Sequence, residues 1–371
     1  MDTIDLNIIT LFGAFLISIV IEMMMLPRII YIAKKKRLFD LPDKRKLHDS
    51  PIPRLGGVSF LPVILLVVFF MLFVRNKLNL WSDLFLDTIF LEWALLICGM
   101  FVIYLLGVKD DLVGVGFKKK FLIQFVAALC IVGSGVYLNS LHGLLGVYEI
   151  PPLVGIPLSI LIIMFTTNSI NLIDGADGLA SGLSAIAFMV YGALFCMFGM
   201  WTYASIAFIA LGILVPFFYY NFIHPRRKIF MGDTGSLTLG YLLAFMMIRL
   251  ANSPQVLEIM PSGFFLLTLA ALFVPPFDAL RVMLIRMVTG KAPFSPDRSH
   301  IHHKLIDMGL SRRKAVFTII IVGVLLFSLN YFLLLHINCN WVLLLDVSIW
   351  VIITVILYHS AKRTEAKKLK E

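Results

Sequence analysis

At 371 residues, 60% of them hydrophobic and only 15% charged, the chain carries more apolar surface than a soluble fold of its size could bury. Its mean hydropathy is +0.94 and its net charge +10, so lipid has to be its main solvent. The basic excess then reads as membrane topology and anionic lipid, and no nucleic-acid partner is needed to account for it.

Apolar runs close to the ~20 residues that cross a bilayer predict eleven spans, near 6–32, 56–74, 89–107, 121–138, 153–171, 178–198, 202–220, 235–250, 262–288, 314–336 and 341–360. The first lacks a basic leader and a small-residue cleavage site, so it reads as a span and not as a removable signal. Cys98, Cys130, Cys196 and Cys339 sit in or beside these runs without CxxC or Cys/His spacing, which argues against disulfides and structural zinc. Glu22, Glu92, Asp278 and Arg281 fall inside spans, where charge is costly, and are functional candidates on that ground.

After the first span comes a basic loop, Lys44-Arg45-Lys46-Leu47-His48 followed by Pro53-Arg54-Leu55-Gly56-Gly57. Lys46 and His48 are candidates for a substrate phosphate, with anionic-lipid contact as the plain alternative. The third span ends in Gly107-Val108-Lys109-Asp110-Asp111, with Lys118-Lys119-Lys120 close behind. Two adjacent carboxylates there can hold a divalent cation or act as a base toward a lipid phosphate, against the bland reading of a solvated loop. The fifth span starts after Pro151-Pro152 and ends in Asn168-Ser169-Ile170-Asn171-Leu172-Ile173-Asp174-Gly175-Ala176-Asp177-Gly178. Asn168, Asn171 and Asp174 recur every three residues and share one helical face. Oxygen ligands of this kind suit Mg²⁺, whereas a helix cap would need only one aspartate.

Further on, Arg226-Arg227-Lys228-Ile229-Phe230-Met231-Gly232-Asp233-Thr234-Gly235-Ser236 sets a basic triplet before a GDTGS turn that opens a helix. The pattern predicts a phosphate at the helix N-terminus, with Asp233 as a metal ligand or a simple cap; it is no Walker loop, since no GKS or GKT follows. The ninth span carries Pro275-Pro276 and should break there. Asp278 and Arg281, three apart, can neutralise each other. Last comes Ser295-Pro296-Asp297-Arg298-Ser299-His300-Ile301-His302-His303-Lys304. Its imidazoles and cations fit charge neutralisation of a diphosphate better than zinc, for which no cysteine or further ligand is at hand.

Sorting the loops by face, 34–55, 108–120, 172–177, 221–234, 289–313 and the tail after 360 hold 25 of the 32 Lys and Arg. The other face holds Arg75, Lys77 and, at a span's edge, Arg249. The basic set is therefore cytoplasmic and the N-terminus outside. Every motif with chemical potential falls in that set. The fold expected is an all-α polytopic membrane protein, residues 1–360 forming one transmembrane catalytic domain and 361–371 a basic cytoplasmic tail.

Taken in order, GVKDD, NSINLIDGADGLA, KIFMGDTGS, PPFDALRV and SPDRSHIHH resemble the loops of the polyprenyl-phosphate N-acetylhexosamine-1-phosphate transferases over most of the chain. The HIHH stretch is similar to the bacterial branch that uses UDP-GlcNAc and less like the phospho-MurNAc-pentapeptide transferases. The resemblance implies a bundle of about ten or eleven helices, often a homodimer, with a cytoplasmic active-site cleft and a groove for lipid. It implies Mg²⁺, with Mn²⁺ as a substitute, and transfer of GlcNAc-1-phosphate from the UDP-sugar to undecaprenyl phosphate in the bacterial cytoplasmic membrane. The product would start a lipid-linked cell-envelope polysaccharide, with UMP released.

By the same resemblance Asp233 and Asn171 are metal ligands, and Asp110 binds or deprotonates the lipid phosphate beside Asp111. Phe230 stacks on uracil; Asp174 and Asp177, with Asn168 nearby, line the nucleotide pocket. His300, His302, His303 and Arg298 meet the sugar-diphosphate. Asn221 lies nine residues before Phe230, a spacing that departs from the family pattern, so the resemblance assigns it no nucleotide role. The chemistry expected is one in-line displacement without a covalent aspartyl intermediate. A secondary transporter, which broken spans and buried charges also fit, is the rival from another class; no repeat relates the two halves.

Overall fold

Lipid offers the backbone no hydrogen-bond partner, so a chain this apolar can cross it only as helices that satisfy themselves. The computed structural model describes residues 3–40, 52–80, 88–224, 227–253, 262–292 and 299–368. Its α-helices run in order as α1 (Thr3–Lys35), α2 (Phe60–Lys77), α3 (Thr88–Val113), α4 (Phe117–Gly133), α5 (Pro152–Ile173), α6 (Leu179–Met197), α7 (Trp201–Phe218) and α8 (Gly232–Ala251). They continue as α9 (Phe264–Ala270), α10 (Val274–Val288), α11 (Ile301–Asp307), α12 (Arg312–Leu334) and α13 (Cys339–Lys368). A two-residue antiparallel pair, β1 (Phe39–Asp40) and β2 (Ile52–Pro53), joins the ends of the first basic loop. Lys46 and His48 lie between them, outside the described residues.

Among the described residues nine helices are long and apolar enough to span a membrane, and α9 with α10, bent by 82°, makes a tenth. The eleventh expected span is α4, whose 17 residues sit at the short end of what crosses a bilayer. The protein is a polytopic membrane bundle. The ninth span breaks just ahead of its prolines, so that Pro275 and Pro276 fall in the first turn of α10, where a missing N–H costs nothing. At the C-terminus the helix does not stop where the tail was expected; α13 continues to Lys368.

The centre of the bundle is α8, buried at every residue from Thr234 to Ile248. Small residues let its neighbours approach, as is usual where lipid gives helices no hydrophobic reason to associate. A Cβ on Gly240 would lie 2.8 Å from the Thr167 Cα of α5.

Polar side chains tie the end of the bundle remote from the motifs. Arg75 donates to Asn7 Oδ1 at 2.7 Å, joining α2 to α1. Arg249 Nε lies 3.0 Å from both Glu92 Oε2 and the Tyr203 hydroxyl, joining α8 to α3 and α7. Glu92, a functional candidate by its cost in lipid, is thus one member of a partly buried interhelical lock. Glu22 is used similarly: it accepts from Ser59 Oγ at 2.6 Å and anchors the turn that precedes α2.

Candidate active site

The motif loops meet at one end of the bundle, and backbone pairing sets their frame. Phe230 N–H donates to Pro53 O, Gly56 N–H to Phe230 O and Gly57 N–H to Met231 O, all at 2.8–2.9 Å. The first basic loop is thereby laced to the segment that enters α8. A Cβ on Gly57 would fall 2.2 Å from Gly235, so this approach requires glycine.

The first N–H groups of any helix lack intrahelical acceptors and carry the positive end of its dipole. At α8 the sequence predicts a phosphate in that place; the structure fills it with Asp111. The Asp111 carboxylate accepts the backbone N–H of Asp233 at 2.8 Å, that of Thr234 at 3.0 Å, and the Thr234 hydroxyl at 2.6 Å. Arg54 Nε stands 3.2 Å from the same carboxylate, whose side chain is fully buried. Asp111 caps α8 from another helix and, with Gly232 in the left-handed region at φ +73°, fixes where Asp233 points.

Asp110, next in sequence, faces a different set of partners. Val115 N–H donates to its Oδ1 at 2.8 Å, and Lys120 Nζ lies 2.9 Å from its Oδ2. Lys120 also reaches Asp233 Oδ2 at 2.8 Å and Asn171 Oδ1 at 3.3 Å. Asn171 Nδ2 donates to Asp233 Oδ1 and Ser236 Oγ, both at 2.9 Å, and Arg54 Nη2 approaches Asp233 Oδ1 at 3.4 Å. Two carboxylates and an amide oxygen from three helices thus converge on one ammonium. Asn168 is turned elsewhere: it exchanges hydrogen bonds with Gln124 of α4, at 2.6 and 3.2 Å, and so braces α5 against α4.

Beyond Asn171 the chain turns through Asp174 to Asp177. Burial, together with the Asp233, Asp177 and Asp111 carboxylates, pushes the Asp174 carboxyl well above the usual carboxylate range. Asp177 pairs with Lys228, whose ammonium also sits 5.8 Å from the Phe230 ring centroid. Asn221 explains why the two segments lie together. Its Oδ1 accepts Gly178 N–H at 2.6 Å and its Nδ2 donates to Ile229 O at 2.9 Å. Beside them opens a cavity of about 520 Å³, bounded by Asp177, Phe222, His224, Lys228, Arg312 and Arg313.

The histidine loop is anchored by the broken span. Asp278 accepts from Arg281 Nη2 at 2.6 Å, from Ile301 N–H at 3.1 Å and from His300 Nδ1 at 2.8 Å. Arg281 in turn donates to Ser299 O at 2.6 Å. The sequence reads Asp278 and Arg281 as neutralising each other; the structure adds that the pair holds both sides of the loop's start. Because an ionised carboxylate only accepts, the His300 Nδ1 is the donor in this contact. His302 stacks on His300 at 5.9 Å between ring centroids and lies tilted against His303 at 4.2 Å. It is 1% exposed, lies against Gly175, and neither ring nitrogen has a hydrogen-bond partner. Burial first, then the neighbouring imidazoles, pulls its pKa down to about 3, so the ring is neutral. Arg298 lies outside the described residues.

Among the described residues no group of three or more His, Cys, Asp or Glu is arranged to hold a metal. The all-oxygen set around Lys120 is a different matter. Asp110, Asp233 and Asn171 already surround a cation, and carboxylates with an amide oxygen are what a hard divalent ion takes when substrate supplies the rest. Lys120, Arg54, Gln124 and Asp278 act here in ways that spacing alone does not reveal. For Lys120 a faint signal exists: Gln124 stands one turn along the same helix face, a polar stripe entering an apolar run.

Residues 93–251 match glycosyl transferase family 4. The chain is 35% identical over 332 residues, 88% of its own length and 86% of the relative's, to a probable undecaprenyl-phosphate N-acetylglucosaminyl 1-phosphate transferase of Bacillus subtilis. It is 31% identical to a decaprenyl-phosphate N-acetylglucosaminephosphotransferase of Mycobacterium leprae, over 77% of this chain and 75% of that one. With an undecaprenyl-phosphate alpha-N-acetylglucosaminyl 1-phosphate transferase of Yersinia pestis it shares 28% identity over 80% and 76% of the two chains.

Proposed function

The chain belongs to glycosyl transferase family 4, and we propose that it transfers N-acetylglucosamine-1-phosphate from UDP-GlcNAc to undecaprenyl phosphate, releasing UMP. The observation that carries this reading is the gathering of Asp110, Asp233, Asn171, Asp177 and the histidine loop at one end of a membrane bundle. A water-soluble nucleotide sugar and a membrane-bound phosphate can meet only at such an end.

The reaction joins two anions, so the first task is charge. Asp233 and Asn171, with Asp110, would hold Mg²⁺ or Mn²⁺, which when bound neutralises the diphosphate and polarises its phosphorus. Arg54 and Lys120 add fixed positive charge beside them. Asp110 receives the acceptor phosphate, taking its proton where one is present. A phosphate oxygen of the lipid then attacks the β-phosphorus of UDP-GlcNAc, and the bond from that phosphorus to the bridging oxygen breaks toward UMP. One phosphoanhydride replaces another, so positioning and electrostatics supply most of the catalysis. Phe230 stacks on uracil, Asp174 and Asp177 border the nucleotide, and the 520 Å³ cavity beside them is of a size that admits it. His300, His302, His303 and Arg298 take the sugar-diphosphate, and Lys46 and His48 the phosphate arriving from the membrane side.

The face carrying the site is cytoplasmic and the N-terminus outside, supported by the 25 of 32 basic residues on the motif side. The membrane is the bacterial cytoplasmic one, and the product begins a lipid-linked polysaccharide. A transporter reading loses its main support, because the broken span and its buried charges are engaged in anchoring the histidine loop. The test is UMP release by purified protein given Mg²⁺, undecaprenyl phosphate and a panel of UDP-sugars. Release is expected with UDP-GlcNAc and not with UDP-MurNAc-pentapeptide; no release with any sugar refutes the enzyme reading.

A further inference from the structure

Lys120 stands where a metal ion would. Its ammonium lies 2.8 Å from Asp233 Oδ2, 2.9 Å from Asp110 Oδ2 and 3.3 Å from Asn171 Oδ1. These are the oxygens that the proposed function assigns to a divalent cation. Such an ion binds oxygen at about 2.1 Å, so it and the ammonium cannot occupy that point together. We propose that Lys120 is the resident counter-cation of this site, and that a divalent metal enters only as the Lys120 ammonium leaves Asp233 and Asp110.

The charges make the displacement consequential. Asp111 is satisfied by the α8 N-terminus and Arg54, which leaves Asp110 and Asp233 sharing Lys120, with only a long contact from Arg54. With the ammonium in place one positive charge already offsets one of the two carboxylates, so the pocket attracts a further cation less than the bare pair would. With the ammonium expelled and unpaired, a positive charge is left half-buried. An incoming phosphate gives it a partner. Metal and anionic substrate therefore bind with positive coupling, each easing the other's entry through one side chain. Lysine suits this task, since its ammonium is a compact charge on a flexible stem, whereas an arginine fork would stay bound to both carboxylates.

The inference rests on the proposed metal site, and the experiment separates the two. Mn²⁺ binding to the purified full chain, without substrate, is followed by electron paramagnetic resonance of the free ion. Lys120→Met should bind Mn²⁺ roughly tenfold or more tightly than the wild type, and Lys120→Gln serves as a second variant should Met fold poorly. Lys120→Arg should remain weak. UMP should tighten Mn²⁺ binding more in the wild type than in Lys120→Met, where no ammonium needs rehousing. If neither neutral variant binds Mn²⁺ more tightly while Asp233→Asn abolishes binding, displacement is wrong and the metal site stands. If Asp233→Asn leaves Mn²⁺ binding intact, the metal site and the displacement both fall.

Discussion

Replacing Asp278 with alanine should release the histidine loop, and the structure sets the scale of the effect. The carboxylate takes Arg281 at 2.6 Å, His300 at 2.8 Å and the Ile301 N–H at 3.1 Å. Its side chain and that of Arg281 are each only 4% exposed. Removing one partner of a buried pair leaves the other charge uncompensated, at a cost of about 3–5 kcal/mol. Part of that cost is borne locally, as opening of the loop start that Arg281 and Asp278 clamp together. At about 1.4 kcal/mol per tenfold, a loop that must be closed at the transition state would be closed roughly a hundredfold to a thousandfold less often. UMP release should show this as a fall in kcat/KM of that order. Thermal unfolding in detergent supplies the control: Asp278→Ala/Arg281→Met should unfold at a higher temperature than Asp278→Ala alone, because the stranded cation is gone. Kinetics near those of the wild type in the single variant, or a double variant no more stable than the single, would refute the reasoning.

Phe230→Ala should raise the KM for UDP-GlcNAc roughly tenfold to a hundredfold with little change in kcat, since an aromatic stacked on a base contributes about 1–3 kcal/mol; an unchanged KM would remove Phe230 from the nucleotide site. His302 has a folded pKa of about 3, below the unfolded value of about 6.5, so between those values the unfolded chain binds the extra proton. Stability from this group is present above about pH 6.5 and lost as the pH falls toward 3. The gap in melting temperature between wild type and His302→Gln should therefore narrow on acidification, and a gap independent of pH would show that the ring is not held neutral by burial. For topology, Asp5→Cys in a cysteine-free background should react with an impermeant maleimide from outside intact cells, and Met308→Cys only after permeabilisation. The opposite pattern would invert the protein and place the site outside.

What the sequence discloses here is whatever leaves a local trace. Span limits follow apolar runs, so α5, α6 and α8 begin and end within a few residues of their expected places. The break in the ninth span was marked by two prolines, and only its position, ahead of them instead of at them, depended on three dimensions. Aspartates and histidines announced themselves by spacing. Their partners did not. Asp278 and His300 are 22 residues apart, Lys120 and Asp233 are 113 apart, and Asp111 and Asp233 are 122 apart; no periodicity links such pairs. A residue such as Asn168 shows the converse failure. It shares a face with Asn171 as the three-residue spacing requires, yet Gln124 from the adjacent helix takes its amide, and one turn of helix separates a brace from a member of the site.

Asp110 and Asp111 show how much of this site lies in the division of labour between like residues. Adjacent positions at the end of a helix point roughly 100° apart, so two neighbouring carboxylates must face different surroundings. Asp111 turns inward to the start of α8, where backbone N–H groups and a dipole stabilise its charge. Asp110 turns to Lys120 and the open side. Without the first, Asp233 would sit on an uncapped helix start, free to vary by more than the tenths of an ångström that an ion or a phosphate tolerates. Without the second, Lys120 would have Asp233 as its one carboxylate partner. The pair is one device in two parts, a fixed carboxylate that aims the α8 turn and a partly buried one that shares Lys120 beside it. Gly232, Thr234 and Arg54 belong with the first part, and Lys120 and Asn171 with the second. A change that merely swaps the two side chains' environments would leave composition and charge untouched and still dismantle the site.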